Sequence, residues 1–157
     1  MISEDHVIWE KSVDGNLDKV TVNKNGYVSA IVTGTTYKSV IITYDEKGNE
    51  LFKTYLSKTI AVDACVSPDN AEFAYAEVNN SGTTIQSNIK IISIKDVKEK
   101  NTEPKYEYNA VQGSLILRIK YQDKSRLICM YDDSIHTFET GADVELTKLN
   151  EDNPKIT

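Results

Sequence analysis

One phrase of residues occurs three times along this chain, and that repetition constrains the fold more than any other feature. Val22-Asn23-Lys24-Asn25-Gly26-Tyr27-Val28 returns as Val66-Ser67-Pro68-Asp69-Asn70-Ala71-Glu72-Phe73. It returns more loosely as Lys120-Tyr121-Gln122-Asp123-Lys124-Ser125-Arg126-Leu127. Each copy reads as a strand, a tight polar turn and a second strand. The copies are about 44 and then about 54 residues apart, a period typical of propellers and other repeat arrays.

After this phrase each copy continues into two more strands. In the first they are residues 39–44 and 50–55, joined by Asp45-Glu46-Lys47-Gly48-Asn49. In the third they are residues 134–138 and 143–149, joined by Glu139-Thr140-Gly141-Ala142. Ile41, Thr43 and Tyr44 match Ile135, Thr137 and Phe138, which marks the two copies as equivalent units. The second copy has residues 88–94, a polar insertion over 95–105, and Tyr106-Glu107-Tyr108. Alternation and β-branched residues define the strands. Asn25-Gly26 and Pro68-Asp69-Asn70 supply the backbone freedom or preset dihedrals of hairpin turns. The insertion could hold one helical turn, but its mixed charges and Pro104 favour a solvated loop.

Four antiparallel strands per unit specify a propeller blade. The expected fold is therefore all-β: about three blades of an incomplete propeller, at residues 17–56, 60–110 and 114–149. A sandwich of twelve short strands is the competing architecture, but it does not call for three similar units in tandem. Residues 6–11 alternate like a stray outer strand. The expected core includes Val22, Val28, Ala30, Ile41, Leu51, Val66, Ala74, Ala76, Ile89, Ile91, Leu117, Ile128 and Phe138.

Three blades do not close a ring, since closed propellers use four to eight. An open arc leaves apolar faces and strand edges uncovered. The chain is thus expected to be a fragment of a larger propeller, its last residues, 150–157, reading as a linker between blades. Alternatively, copies assemble into a dimer that covers the open edges. Trp9 is too large and apolar to stand in water, and burial on the chain's own blades or on a neighbouring molecule is expected.

The formal charge of −6 argues against a nucleic-acid partner, which needs clustered Lys and Arg. No apolar run approaches the ~18 residues of a membrane span. The opening residues lack the basic and apolar regions of a signal peptide. Cys65 and Cys129 lie in apolar strands and are expected to be reduced, largely buried thiols.

The phrases at residues 23–28 and 67–74 resemble the loop and second strand of bacterial YVTN-type and TolB-type propellers. Tyr44-Asp45-Glu46-Lys47-Gly48-Asn49-Glu50-Leu51 resembles the turn before the fourth strand in quinoprotein-like propellers. The whole chain is similar to the first half of an uncharacterised family of bacterial propellers that follow an N-terminal membrane anchor. The resemblance implies a fold and an extracytoplasmic, membrane-anchored setting; its motifs are structural and imply no activity. The Trp-Asp dipeptide of WD repeats is absent.

Chemistry is sparse. His6 and His136 are the only imidazoles, and nothing local supports a triad of Ser, His and carboxylate within hydrogen-bond reach. Cys and His lack the short spacings of a metal site. Residues 45–50 lack the alternating acidic ligands of a calcium loop and read as a plain hairpin turn. No catalytic, metal-binding or cofactor residue is assigned, and no cofactor is expected. Most of the nine Tyr fall in or beside strands, where packing explains them. Tyr37, in the loop 34–38, is the exception and the candidate binding-rim residue. Loops 34–38 and 79–86 join equivalent strands and should share one rim. The expected function is non-catalytic: a binding or protein-interaction domain on the extracytoplasmic side of a bacterial membrane, its partner a protein or cell-surface ligand. The alternative is half of a propeller enzyme, a quinoprotein-like oxidoreductase or a hydrolase, with its active site in missing blades.

Overall fold

In the computed structural model, residues 6–140 and the short strand 147–148 are described. Among the described residues twelve strands form three antiparallel sheets of four. The first sheet runs β1 (Asn16–Val22), β2 (Val28–Thr33), β3 (Ser39–Tyr44), β4 (Glu50–Leu56). The second runs β5 (Ile60–Val66), β6 (Glu72–Asn79), β7 (Gln86–Ser93), β8 (Tyr106–Asn109). The third runs β9 (Ile116–Tyr121), β10 (Arg126–Tyr131), β11 (Ile135–Glu139), β12 (Thr147–Lys148). Strand order follows chain order in each sheet, the up-and-down meander of a blade.

Turn chemistry explains the hairpins. Between β1 and β2 the Asn23 side chain accepts the backbone N–H groups of Asn25 and Tyr27, while Gly26 takes φ +84°. Between β5 and β6 the Ser67 hydroxyl accepts Ala71 and Glu72 N–H, and Asn70 adopts the left-handed conformation there. A side-chain acceptor inside a turn replaces the ladder partner that the reversing backbone has lost.

The innermost strand of every sheet carries a bulge at the same place in the repeat. Asp18, Val62 and Leu117 are each skipped in the pairing of β1, β5 and β9 with their neighbours. A bulge sharpens the local twist and re-aims the following side chain. The residues so re-aimed are Lys19, Asp63 and Arg118.

The sheets stack face to face, with β5 packed against both β1 and β9. Between the first and second sheets lie Ile31, Ile41, Phe52, Phe73, Tyr75 and Ile92, with the Phe52 and Phe73 rings 4.5 Å apart. Between the second and third lie Ala76, Ile89, Ile91, Leu127, Cys129 and Phe138, with Tyr108 packed 4.3 Å from Phe138. Burying one such large side chain stabilises the fold by about 1.5–3 kcal/mol.

Among the described residues, the backward face of the first sheet has no sheet against it. Val32, Val40, Ile42 and Tyr44 are buried there beneath Trp9 and Val13. The Trp9 ring lies 5.8 Å from Tyr44 and directly on Gly48, where a Cβ would come within 2.9 Å of it. Trp9 is therefore folded back on the chain's own first blade, partly rather than fully buried.

Several expectations are corrected. Residues 6–11 are not an outer strand: only Val7 makes an isolated bridge. Trp9 and Val13 pack on the sheet face instead. Val22 is 63% and Leu117 41% exposed, so neither is core. Val22 ends the innermost strand of the first sheet, and Leu117 is the bulged residue of β9. Val28, Leu51 and Ile128 are only partly buried. The insertion is not wholly loop: Ile94–Lys98 forms a five-residue helix, α1. The Ser93 side chain caps it by accepting Asp96 N–H, and Ile94 anchors it in the core. Cys65 and Cys129 are free, Cys129 buried and Cys65 only partly so. The expected strand at 143–149 is described only at 147–148, and the expected linker at 150–157 lies outside the described residues.

Candidate functional site

Tyr37 sits in the β2–β3 loop, 40% exposed, its N–H held by the Thr35 hydroxyl. Its ring packs 4.7 Å from that of Tyr55 on β4, itself half exposed. The Lys53 ammonium lies over the Tyr55 ring, 5.5 Å from its centroid. The Lys38 ammonium donates to Lys58 O and to Asn80 Oδ1, which ties the 34–38 loop to the 79–86 loop of the second sheet. The two loops thus form one rim, with an aromatic pair at its first-sheet end. By sequence Tyr55 reads as a packing residue. Alternation along β4 placed it on a strand without saying which face stays uncovered.

A second feature was not legible as a site. On the inner strands, the Lys19 ammonium pairs with Asp63 Oδ1 at 2.9 Å, and Asp63 Oδ2 accepts Ile119 N–H at 2.9 Å. One carboxylate, itself 2% exposed, therefore links all three sheets. Two bonds to donors of opposite neighbours offset the cost of burying it. Thr21 adds a hydroxyl bond to Ala64 O.

Beside this clamp lies a groove of about 630 Å³ between the three innermost strands. Four cations line it, Lys19, Lys24, Arg118 and Lys120, against one carboxylate, Asp63. Of the four, only Lys19 takes part in an ion pair among the described residues. Val66, Pro68, Ile128 and Met130 make much of the wall apolar. Tyr121 lines the groove as well, and its buried hydroxyl finds no partner among the described residues. Burial holds that phenol well above its ordinary pKa, so it is neutral. The signal for this groove was the bulge-following position of each repeat, which only the pairing register exposes.

The two thiols are placed for packing. Burial, reinforced by the Asp63 charge, pushes the Cys65 thiol up to about 12. Burial and then Cys65 push Cys129 higher still. Such thiols are inert at neutral pH. His136 is buried on β11, 4.9 Å from the Tyr131 ring, with Nε2 at 3.0 Å from the Ser134 hydroxyl. Among the described residues no cluster of His, Cys, Asp or Glu is placed to hold a metal ion, and no helix is long and apolar enough to cross a membrane.

The architecture is similar to a solved yeast Hsv2 propeller, KlHsv2 with loop 6CD replaced by a Gly-Ser linker. The TM-score is 0.56 at 15% identity, covering 85% of this chain and 44% of that one. The likeness shows the propeller fold, of which this chain spans less than half that protein's length. No curated protein matches the chain. A family model matches residues 1–156, and the chain accordingly belongs to the family of unknown function DUF5711.

Proposed function

We propose that this chain is a non-catalytic interaction domain, three blades of a propeller whose rim engages a protein or cell-surface ligand. The observation that carries the reading is the joined rim. Tyr37 and Tyr55 present two exposed rings, and the Lys38–Asn80 bond fixes the neighbouring loop beside them. Exposed Tyr offers contact area at low entropic cost and a polar tip for hydrogen bonding. Raised thiol pKa values support binding over chemistry. The resemblance of the whole chain to the first half of a family of membrane-anchored bacterial propellers supports an extracytoplasmic, membrane-anchored setting for the whole protein.

The test is an NMR titration of the labelled chain with short peptides and with soluble cell-wall glycan fragments, watching for turnover in the same samples. Shifts gathered at residues 34–38, 53–55 and 79–86, without product, are expected. Product formation, or shifts absent from the rim with every ligand, would overturn the reading. Product formed alongside shifts in the groove would favour the alternative, half of a propeller enzyme.

A further inference from the structure

The two buried interfaces between sheets are built on one scheme, and the third sheet carries the same scheme with nothing opposite it among the described residues. From the first sheet, Lys19 follows the β1 bulge and reaches forward to Asp63 of the second. From the second, Asp63 follows the β5 bulge and reaches forward to Ile119 N–H of the third. Arg118 follows the β9 bulge, is exposed, and enters no ion pair among the described residues.

A second series runs in parallel. Ser39 on β3 accepts Ala61 N–H of the next sheet at 3.0 Å, and Ser87 on β7 accepts Ile116 N–H at 3.0 Å. Both accepted groups precede a bulge. Given the match of Ile41 with Ile89 and Ile135, the third member of this series is Asp133, which is exposed. The apolar positions agree. Ile31, Ala76 and Met130 are equivalent, and they are 1%, 0% and 42% exposed.

We propose that the forward face of the third sheet, with Met130, Ile128 and Ile135, is the seat of a further four-stranded blade. That blade presents an apolar backward face and carries a carboxylate on its innermost strand, just after its bulge, to pair with Arg118. Asp133 accepts a backbone N–H from the same strand. Continuity with the two established interfaces identifies the occupant as a blade, and charge complementarity selects an acidic one. The first blade of a second copy does not fit, because it would bring Lys19 to Arg118 as a like charge.

The test appends a blade to the C-terminal end of the full chain and reads hydrogen peroxide oxidation of Met130 by mass spectrometry. One fusion carries a second copy of residues 57–110, with Asp63; the other carries residues 14–56, with Lys19. The acidic blade is expected to slow Met130 oxidation at least about tenfold by burying the thioether. The Lys19 blade should protect several-fold less, and Arg118→Ala should remove that difference without unfolding the chain, since the side chain is exposed. Equal protection by both blades, or by neither, overturns the proposal. So does a concentration-dependent dimer of the unfused chain that is abolished by Met130→Glu, which would assign the face to a second copy.

Discussion

The backward face of the first sheet and the forward face of the third are the two ends of one arc, and they meet water differently. At the first, Val32, Val40, Ile42 and Tyr44 are buried because Trp9 and Val13 lie over them. At the third, Met130 is 42% exposed although its repeat equivalents are fully enclosed. Both sheets have the same fold and the same period. The difference is that one end has a piece of its own chain to spare and the other has none among the described residues. A sheet's two-faced pattern is therefore a statement about neighbours as much as about the sheet itself.

The severest way to break the comparison is to cut what holds the inner ends together. Asp63→Ala leaves the Lys19 ammonium and Ile119 N–H without their acceptor, and should cost about 3–5 kcal/mol in urea denaturation. Arg118→Ala, at the equivalent place on the open side, should stay within about 0.5 kcal/mol. A loss below about 1 kcal/mol for Asp63→Ala would mean that the clamp is not what couples the sheets.

Apolar truncation sharpens the contrast next. Ile41→Ala, fully buried between the first two sheets, should cost about 2–5 kcal/mol. Ile135→Ala occupies the same place in the open third sheet and should cost under about 1 kcal/mol. Equal costs would show that the open face is covered in solution.

Removing the cap should make the two ends alike. Trp9→Ala is expected to cost about 2 kcal/mol and to raise binding of a hydrophobic dye to the uncovered face. Gly48→Ala offers a gentler version. Its φ of +80° and the Trp9 ring at 2.9 Å both resist a Cβ, so Trp9 fluorescence should shift to the red, with a smaller stability loss of about 1–2 kcal/mol.

The smallest effect concerns the thiols, one on the groove wall and one inside. Cys65, raised to about 12 by burial and by Asp63, stays protonated in the fold at pH values where an unfolded thiol ionises. The unfolded chain then binds fewer protons, so this contribution to stability is complete below about pH 9 and falls as pH rises toward 12. Thiol reagents at pH 8 should label the native chain far more slowly than the unfolded one, with Cys65 reacting before Cys129. Rapid labelling of both would contradict their burial.

Much of the architecture was readable from local chemistry. Asn25-Gly26, Ser67-Pro68-Asp69 and Lys47-Gly48-Asn49 mark turns because backbone reversal needs particular residues at particular dihedrals. Alternation in residues 88–94 marks a strand because successive side chains face opposite sides. The short helix was missed because a single turn needs only the Ser93 cap and one apolar anchor, Ile94, which alternation assigned to the preceding strand. The exposed states of Val22 and Leu117 were missed because hydropathy is blind to bulges and to which sheet faces find cover. Tyr37 was legible as a loop residue, whereas its pairing with Tyr55 depended on how the loop folds back over β4.

The sequence alone determined the period, the strands, most turns and hence the blade, because these follow from interactions within about ten residues along the chain. The tertiary structure alone decided that Asp63 is shared by three sheets, that Trp9 caps the first of them, and that Arg118 and Met130 face outward. Each of those outcomes is a relation between residues tens of positions apart. It is set by the stacking of sheets and the register of the bulges, which no local preference encodes.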